Sequence, residues 1–202
     1  MSIIKVNLGC GPSGINGWVN FDWGALPLLN KTGLTPLLVS LGILGKNYLI
    51  NWPKFKLWDI RRKLPMTSSS VDYVYCSHVL EHFERCEGLA ITREIKRILK
   101  VGGVARIVLP DVEKMTVYYT GAKKFNEEFW GYNKEELVGI KRRFIRGHQW
   151  MYDLTEAKVM LTEAGFKKIS VVSFRKGRTP DIKKLDLAGY SKISLYLEAE
   201  KS

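Results

Sequence analysis

At 202 residues the chain is long enough to bury a core of ordinary size as a single domain, 1–202. With 46% hydrophobic and 11% aromatic residues it falls outside the disordered class. A formal net charge of +12 implies an acidic counterpart, whether nucleic acid, an anionic membrane surface or a phosphorylated or carboxylated substrate, unless the lysines serve only solubility. Cys10, Cys76 and Cys86 are odd in number and lack C-x-x-C spacing, which argues against a disulfide framework and a zinc site. With no basic and apolar leader and no apolar run near about 20 residues, a cytoplasmic setting is expected.

The chain opens with a strand that breaks into a loop at Gly9, Gly11 and Gly14, where glycine permits a sharp turn and a close approach to a ligand. A second strand, Trp18 to Phe21, delivers Asp22 at its carboxyl end, where a carboxylate can accept the hydroxyl protons of a ribose. The glycines match G-x-G-x-x-G, yet a dinucleotide needs a crossover helix to receive its pyrophosphate and an acid about 20 positions on. Only one helical turn fits between Leu8 and Trp18. The spacing therefore suits a nucleoside cofactor without a pyrophosphate, such as S-adenosylmethionine, although the pattern alone leaves a plain turn open.

Residues 24–57 form a Leu-rich insertion punctuated by Pro27, Pro36, Gly42 and Gly45. It reads as a short core-packed helix, a lid over the site, or an interfacial element touching lipid through 26–50. Phe55 to Trp58 is a third strand ending in Asp59-Ile60, a carboxylate and an apolar residue that suit the edge and face of an adenine; a local turn is the alternative for Asp59. Val71 to Ser77 is a fourth strand, followed by His78-Val79-Leu80-Glu81-His82. A helix from Glu87 to Lys100 stops before Gly102-Gly103, and Val104 to Leu109 makes a fifth strand. Residues 112–153 are expected to elaborate the substrate side. A helix from Glu156 to Ala164 is capped by Asp153 or Thr155 and closed by Gly165.

Taken together, Asn7-Leu8-Gly9-Cys10-Gly11, Gly17-Trp18-Val19-Asn20-Phe21-Asp22, Ser70-Val71-Asp72, His78-Val79-Leu80-Glu81-His82, Leu99-Lys100-Val101-Gly102-Gly103 and Leu109-Pro110-Asp111 resemble class I S-adenosylmethionine-dependent methyltransferases. The similarity is greatest to the branch with an HVLEH run that methylates small molecules and glycans. The resemblance implies an α/β, Rossmann-like three-layer sandwich, with a seven-stranded, mostly parallel sheet whose last strand is antiparallel. The first helix is shortened here, and Val101 replaces a usual proline. It also implies that Gly9, Cys10 and Gly11 hold the methionine part of the cofactor, Asp22 the ribose, and Asp59 with Ile60 the adenine. Ser77 and His78 would then face the methyl group, with S-adenosylhomocysteine as product.

A hydroxyl acceptor must lose a proton, and His78 is the first candidate base, with His148 in its aromatic setting the second. Cofactor contact, helix capping or plain packing are the alternative roles of these histidines. The same five residues match the H-x-x-E-H of some zinc proteases, but such an enzyme needs both histidines on one long helix, whereas a strand precedes them here; no metal is expected. From Lys141 to Lys184 twelve Lys/Arg stand against four Asp/Glu, interleaved with aromatics that suit phosphates and stacking, or simply a solvated face. The expected activity is methyl transfer to a hydroxyl of a small, anionic or glycan acceptor. An RNA-directed methyltransferase is the alternative favoured by charge, and a non-catalytic cofactor- or phosphate-binding module is the third reading. Oligomeric state is not legible.

Overall fold

The computed structural model describes residues 2–117, 120–130 and 147–202. Seven strands form one sheet: β1 Lys5–Leu8, β2 Val19–Asp22, β3 Lys56–Leu57, β4 Val71–Ser77, β5 Leu99–Pro110, β6 Lys168–Val172 and β7 Ser194–Glu200. Their order is β3-β2-β1-β4-β5-β7-β6. The pairs from β3 through β5 are parallel, whereas β7 runs antiparallel to both β5 and β6. This is the expected mixed sheet with its last strand reversed.

Alternation along the strands sends side chains to two different cores. On one face Val74 and Cys76 of β4, Ala105 and Ile107 of β5 and Leu197 of β7 pack with Ile91, Ile95 and Ile98 of helix α3, Arg85–Ile98. On the other face Tyr75, Val108 and Tyr196 pack with Trp18 and Leu185. That second layer is thin, because the β1–β2 crossover holds one 3-10 turn, Gly11–Ser13, in place of a helix. It is held instead by a buried ionic cluster. Arg106, with no exposed surface, reaches Asp186 at 2.6 Å and Glu198 at 3.4 Å and donates to the Ser173 and Lys176 carbonyls. These bonds tie the long 173–186 connection to β5 and β7.

Helix α3 begins with a reciprocal capping box between Glu84 and Glu87, two residues before the sequence-based start. In the insertion, helices α1 Ala25–Lys31 and α2 Thr35–Ser40 precede a 3-10 turn, Lys46–Tyr48. Leu28, Leu34, Leu37, Leu41 and Ile43 are exposed there, so the insertion is not the core-packed helix that its composition allowed. After β5 come α4 Val112–Val117 and α5 Ala122–Trp130. Helix α6, Leu154–Glu163, is capped by the Asp153 side chain accepting from the Glu156 amide at 2.7 Å, and α7 is the short Ile182–Leu185. No helix among the described residues is long and apolar enough to cross a membrane.

Candidate functional site

The carboxyl ends of β1, β2 and β4 open onto two cavities, as expected for a parallel α/β sheet. The larger, about 520 Å³, includes Asp22, Trp23, Asp59, Ile60 and His82 in its walls, and the smaller, about 300 Å³, includes Cys10, Ser77 and Tyr190. Gly9, Gly11 and His78 belong to both walls. Every residue that the sequence assigned to the cofactor thus lies on the wall of one or both of two adjoining cavities, of a size that suits a nucleoside ligand.

The local geometry explains the residue choices. Gly9 and Gly11 have φ of +64° and +52°, a region that favours glycine, and a Cβ at Gly9 would stand 2.3 Å from the Val79 side chain. A Cβ at Gly11 would meet nothing within 4 Å, so this backbone is left bare toward open space at the cavity wall. Asp22 accepts from the Gly11 amide at 2.6 Å and from the Trp23 amide at 2.7 Å. Burial raises its carboxyl above the usual range, against the lowering effect of those two amides. Burial and the neighbouring Asp22 push the Cys10 thiol up to about 12, so it stays protonated. These features fit an adenosyl cofactor: an oriented acid for a ribose and a bare glycine backbone beside it.

Asp59 is held by Arg61, whose Nε and Nη2 donate to both carboxylate oxygens at 2.7–3.1 Å, and this partner draws its pKa down. Ile60 is largely buried in the main core while reaching the cavity wall. Arg61 lines the same cavity; its place two residues after Asp59 was the only signal of this pairing.

His78 has a left-handed φ of +53°. Its Nε2 lies 2.8 Å from Ser194 Oγ, its ring stacks on Tyr190 at 3.9 Å, and its Nδ1 is 3.5 Å from Glu81. Burial, followed by His148 and His82, pushes it down to about 4. Neither Ser194 nor Tyr190 carried any sequence signal. Leu80–His82 forms one 3-10 turn, with Glu81 fully buried and pushed up to about 8 by that burial. The long helix of a zinc protease is therefore not formed here. His148 is away from both cavity walls and meets the His82 ring at 5.1 Å, its own pKa lowered by burial. Of the basic stretch, Lys141 to Arg146 lie outside the described residues; Arg178 and Lys168 pair with Glu200, and Arg175 lies over the Phe174 ring.

The fold is shared with solved methyltransferases. A SAM-dependent methyltransferase from Thermotoga maritima superposes over 100% of this chain and 83% of its own, with a TM-score of 0.56 and 13% identity. One from Methanosarcina mazei covers 100% and 94%, with a TM-score of 0.53 and 17% identity. The CurJ carbon methyltransferase gives a TM-score of 0.53 at 13% identity; the whole chain spans 49% of that protein. At such identities the likeness speaks for the fold alone. No curated protein matches the sequence. Residues 6–107, about half of the chain and the part that carries both glycines, both strand-end acids and His78, match the family described as methyltransferase domain, and the chain belongs to that family.

Proposed function

We propose that the protein transfers a methyl group from S-adenosylmethionine to a hydroxyl of a small molecule, sugar or glycan. The observation that carries this reading is the shared wall of the two cavities: Asp22, Asp59 and Ile60 surround one, Cys10 and Ser77 the other, and His78 stands where they join. Bound S-adenosylmethionine supplies a methyl activated by its sulfonium. Asp22 would accept the ribose hydroxyls, Asp59 and Ile60 would meet the adenine, and the loop Gly9 to Gly11, with the bare backbone of Gly11, would admit the methionine part. The chain's chief task is alignment and exclusion of water.

His78 is the candidate base. Its ring is fixed by Ser194 and Tyr190, and burial keeps it neutral at physiological pH, which leaves it able to accept a hydroxyl proton but makes it a weak base. Leu26, Pro27 and Trp52 of the insertion lie on the cavity wall, which supports a lid, and the exposed leucines beyond them together with the net positive charge support contact with an anionic membrane or a lipid-bearing acceptor. The charge also favours RNA as a second acceptor class, although β4 ends in Ser77-His78 and lacks the Asn/Asp-Pro-Pro run of enzymes that methylate exocyclic base nitrogens. Release of S-adenosylhomocysteine across hydroxylated, glycan and RNA acceptors tests the reading. Turnover with hydroxylated compounds is expected; salt-dependent turnover with RNA alone favours the second class, and cofactor binding without turnover on any acceptor favours a binding module.

A further inference from the structure

The turn after β4 and the loop at His148 bring together three ligand-type side chains, of which Glu81 has no assigned part in the methyl-transfer reading. One ligand atom each from Glu81, His82 and His148 lies within 4.8 Å of the other two. Two further observations point to a ligand. The Glu81 side chain is fully buried, and neither of its oxygens has a hydrogen-bond partner; His78 Nδ1 stands 3.5 Å away. A carboxyl buried without a hydrogen-bond partner is costly, and a bound cation would displace its proton and compensate the charge. Independently, His148 Nδ1 lies 2.6 Å from the Phe129 carbonyl oxygen and donates to it, which leaves Nε2 with its lone pair. Metal-binding histidines are oriented by a bond of this kind.

The loop that carries His148 is pinned to the turn, because the Gln149 and Trp150 amides donate to the Glu81 carbonyl at 2.6 and 3.2 Å. We propose that Glu81, His82 and His148 form a binding site for one divalent transition-metal cation, with zinc as its chemical type. One carboxylate and two imidazoles are the donor set of open zinc sites, with three protein ligands at about 2.0–2.2 Å and a fourth position for water or substrate. Ligand atoms in such a tetrahedron are about 3.4 Å apart, so closing the cluster from within 4.8 Å needs side-chain shifts of at most about 1.4 Å. His82 lies on the wall of the larger cavity, so a cation held there would stand beside it. If the methyl-transfer reading holds, the open fourth position would be available to an oxygen of the acceptor, and only this last statement rests on it. The arrangement differs from the protease pattern: His78 is turned toward Ser194, and the remaining nitrogen ligand comes from a distant loop.

The test uses the full chain, stripped of metal, with neither cofactor nor acceptor present. Zn²⁺ is titrated by calorimetry and Co²⁺ by visible absorption. One equivalent is expected to bind, with Co²⁺ giving the intense bands of a low-coordinate site. His148→Ala and His82→Ala should each lower affinity at least tenfold, and so should Glu81→Gln if thermal unfolding shows that it folds. Cys86→Ser, which removes the exposed thiol at the start of α3, should leave affinity unchanged. Absence of binding to the folded wild type, unchanged affinity in both histidine variants, or loss confined to Cys86→Ser overturns the site. S-adenosylhomocysteine binding measured on the same samples separates the two readings. Wild-type protein that binds S-adenosylhomocysteine but no metal overturns only the metal site, and wild-type protein that binds metal but no S-adenosylhomocysteine overturns only the methyl-transfer reading.

Discussion

The Gly11 amide donates to Asp22 at 2.6 Å, and this bond links the glycine loop to the end of the neighbouring strand. With the Trp23 amide on its other oxygen, the carboxylate is oriented before any ligand arrives and keeps lone pairs for two hydroxyls. Asp22→Ala should therefore weaken S-adenosylhomocysteine binding, at about 1.5–3 kcal/mol for each charge-assisted bond lost. Calorimetry on the folded variant decides this, and equal affinity would remove the ribose assignment.

A pH dependence follows from the same residue. Burial raises the Asp22 carboxyl in the folded chain, so it gains its proton at a higher pH than an ordinary Asp. In the unfolded chain the proton is lost first, so the group subtracts stability at neutral pH, and this cost fades as pH falls through the folded value. Cofactor binding needs the charged form and runs the other way: affinity should fall with decreasing pH, beginning above the usual carboxylate range. Calorimetric titrations from neutral to mildly acidic pH should show this inflection in the wild type and lose it in Asp22→Ala.

For His78, asparagine is the informative replacement, since it tolerates the left-handed backbone that this position adopts. If His78 is the base, His78→Asn should lower kcat by about 10²-fold or more while S-adenosylhomocysteine affinity changes little. An unchanged kcat with a good acceptor would leave His78 a purely structural part of the turn, held by Ser194 and Tyr190.

Arg106 and Asp186 offer a stability prediction independent of chemistry. Both side chains are fully buried, and Arg106→Leu would leave Asp186 and Glu198 without their cation. Removing one partner of such a cluster costs about 3–5 kcal/mol. Denaturant unfolding should show that loss, whereas a change under about 1 kcal/mol would mean that the cluster is a minor part of the fold's stability.

The insertion is tested by hydrogen exchange across residues 26–50. Protection on adding S-adenosylhomocysteine supports a lid built on Leu26 and Pro27, and protection on adding anionic vesicles supports a membrane contact through the exposed leucines. Exchange that is slow in the free protein and unchanged by either addition would end both roles.

Much of this architecture is written in short-range pattern. The apolar alternation of β4, the glycine break after β1 and the Asp153 cap of α6 are decided by neighbours a few positions apart, so the strands, their ligand loop and Asp22 could be read directly. The Leu-rich insertion shows the limit of such reading. Its composition allowed core, lid or interface, and only the packed chain exposes Leu34, Leu37 and Leu41 to solvent, because burial depends on what else reaches that surface. Asp59 was legible as a strand-end acid, but not as the partner of Arg61, since which side chains close on each other is a matter of rotamers. The meeting of Glu81 with His148, the hold of Ser194 on His78 and the cluster around Arg106 join residues far apart along the chain. No local period encodes these contacts; they arise when sheet order and connecting loops bring distant segments together, and the chemistry of the turn after β4 depends on them.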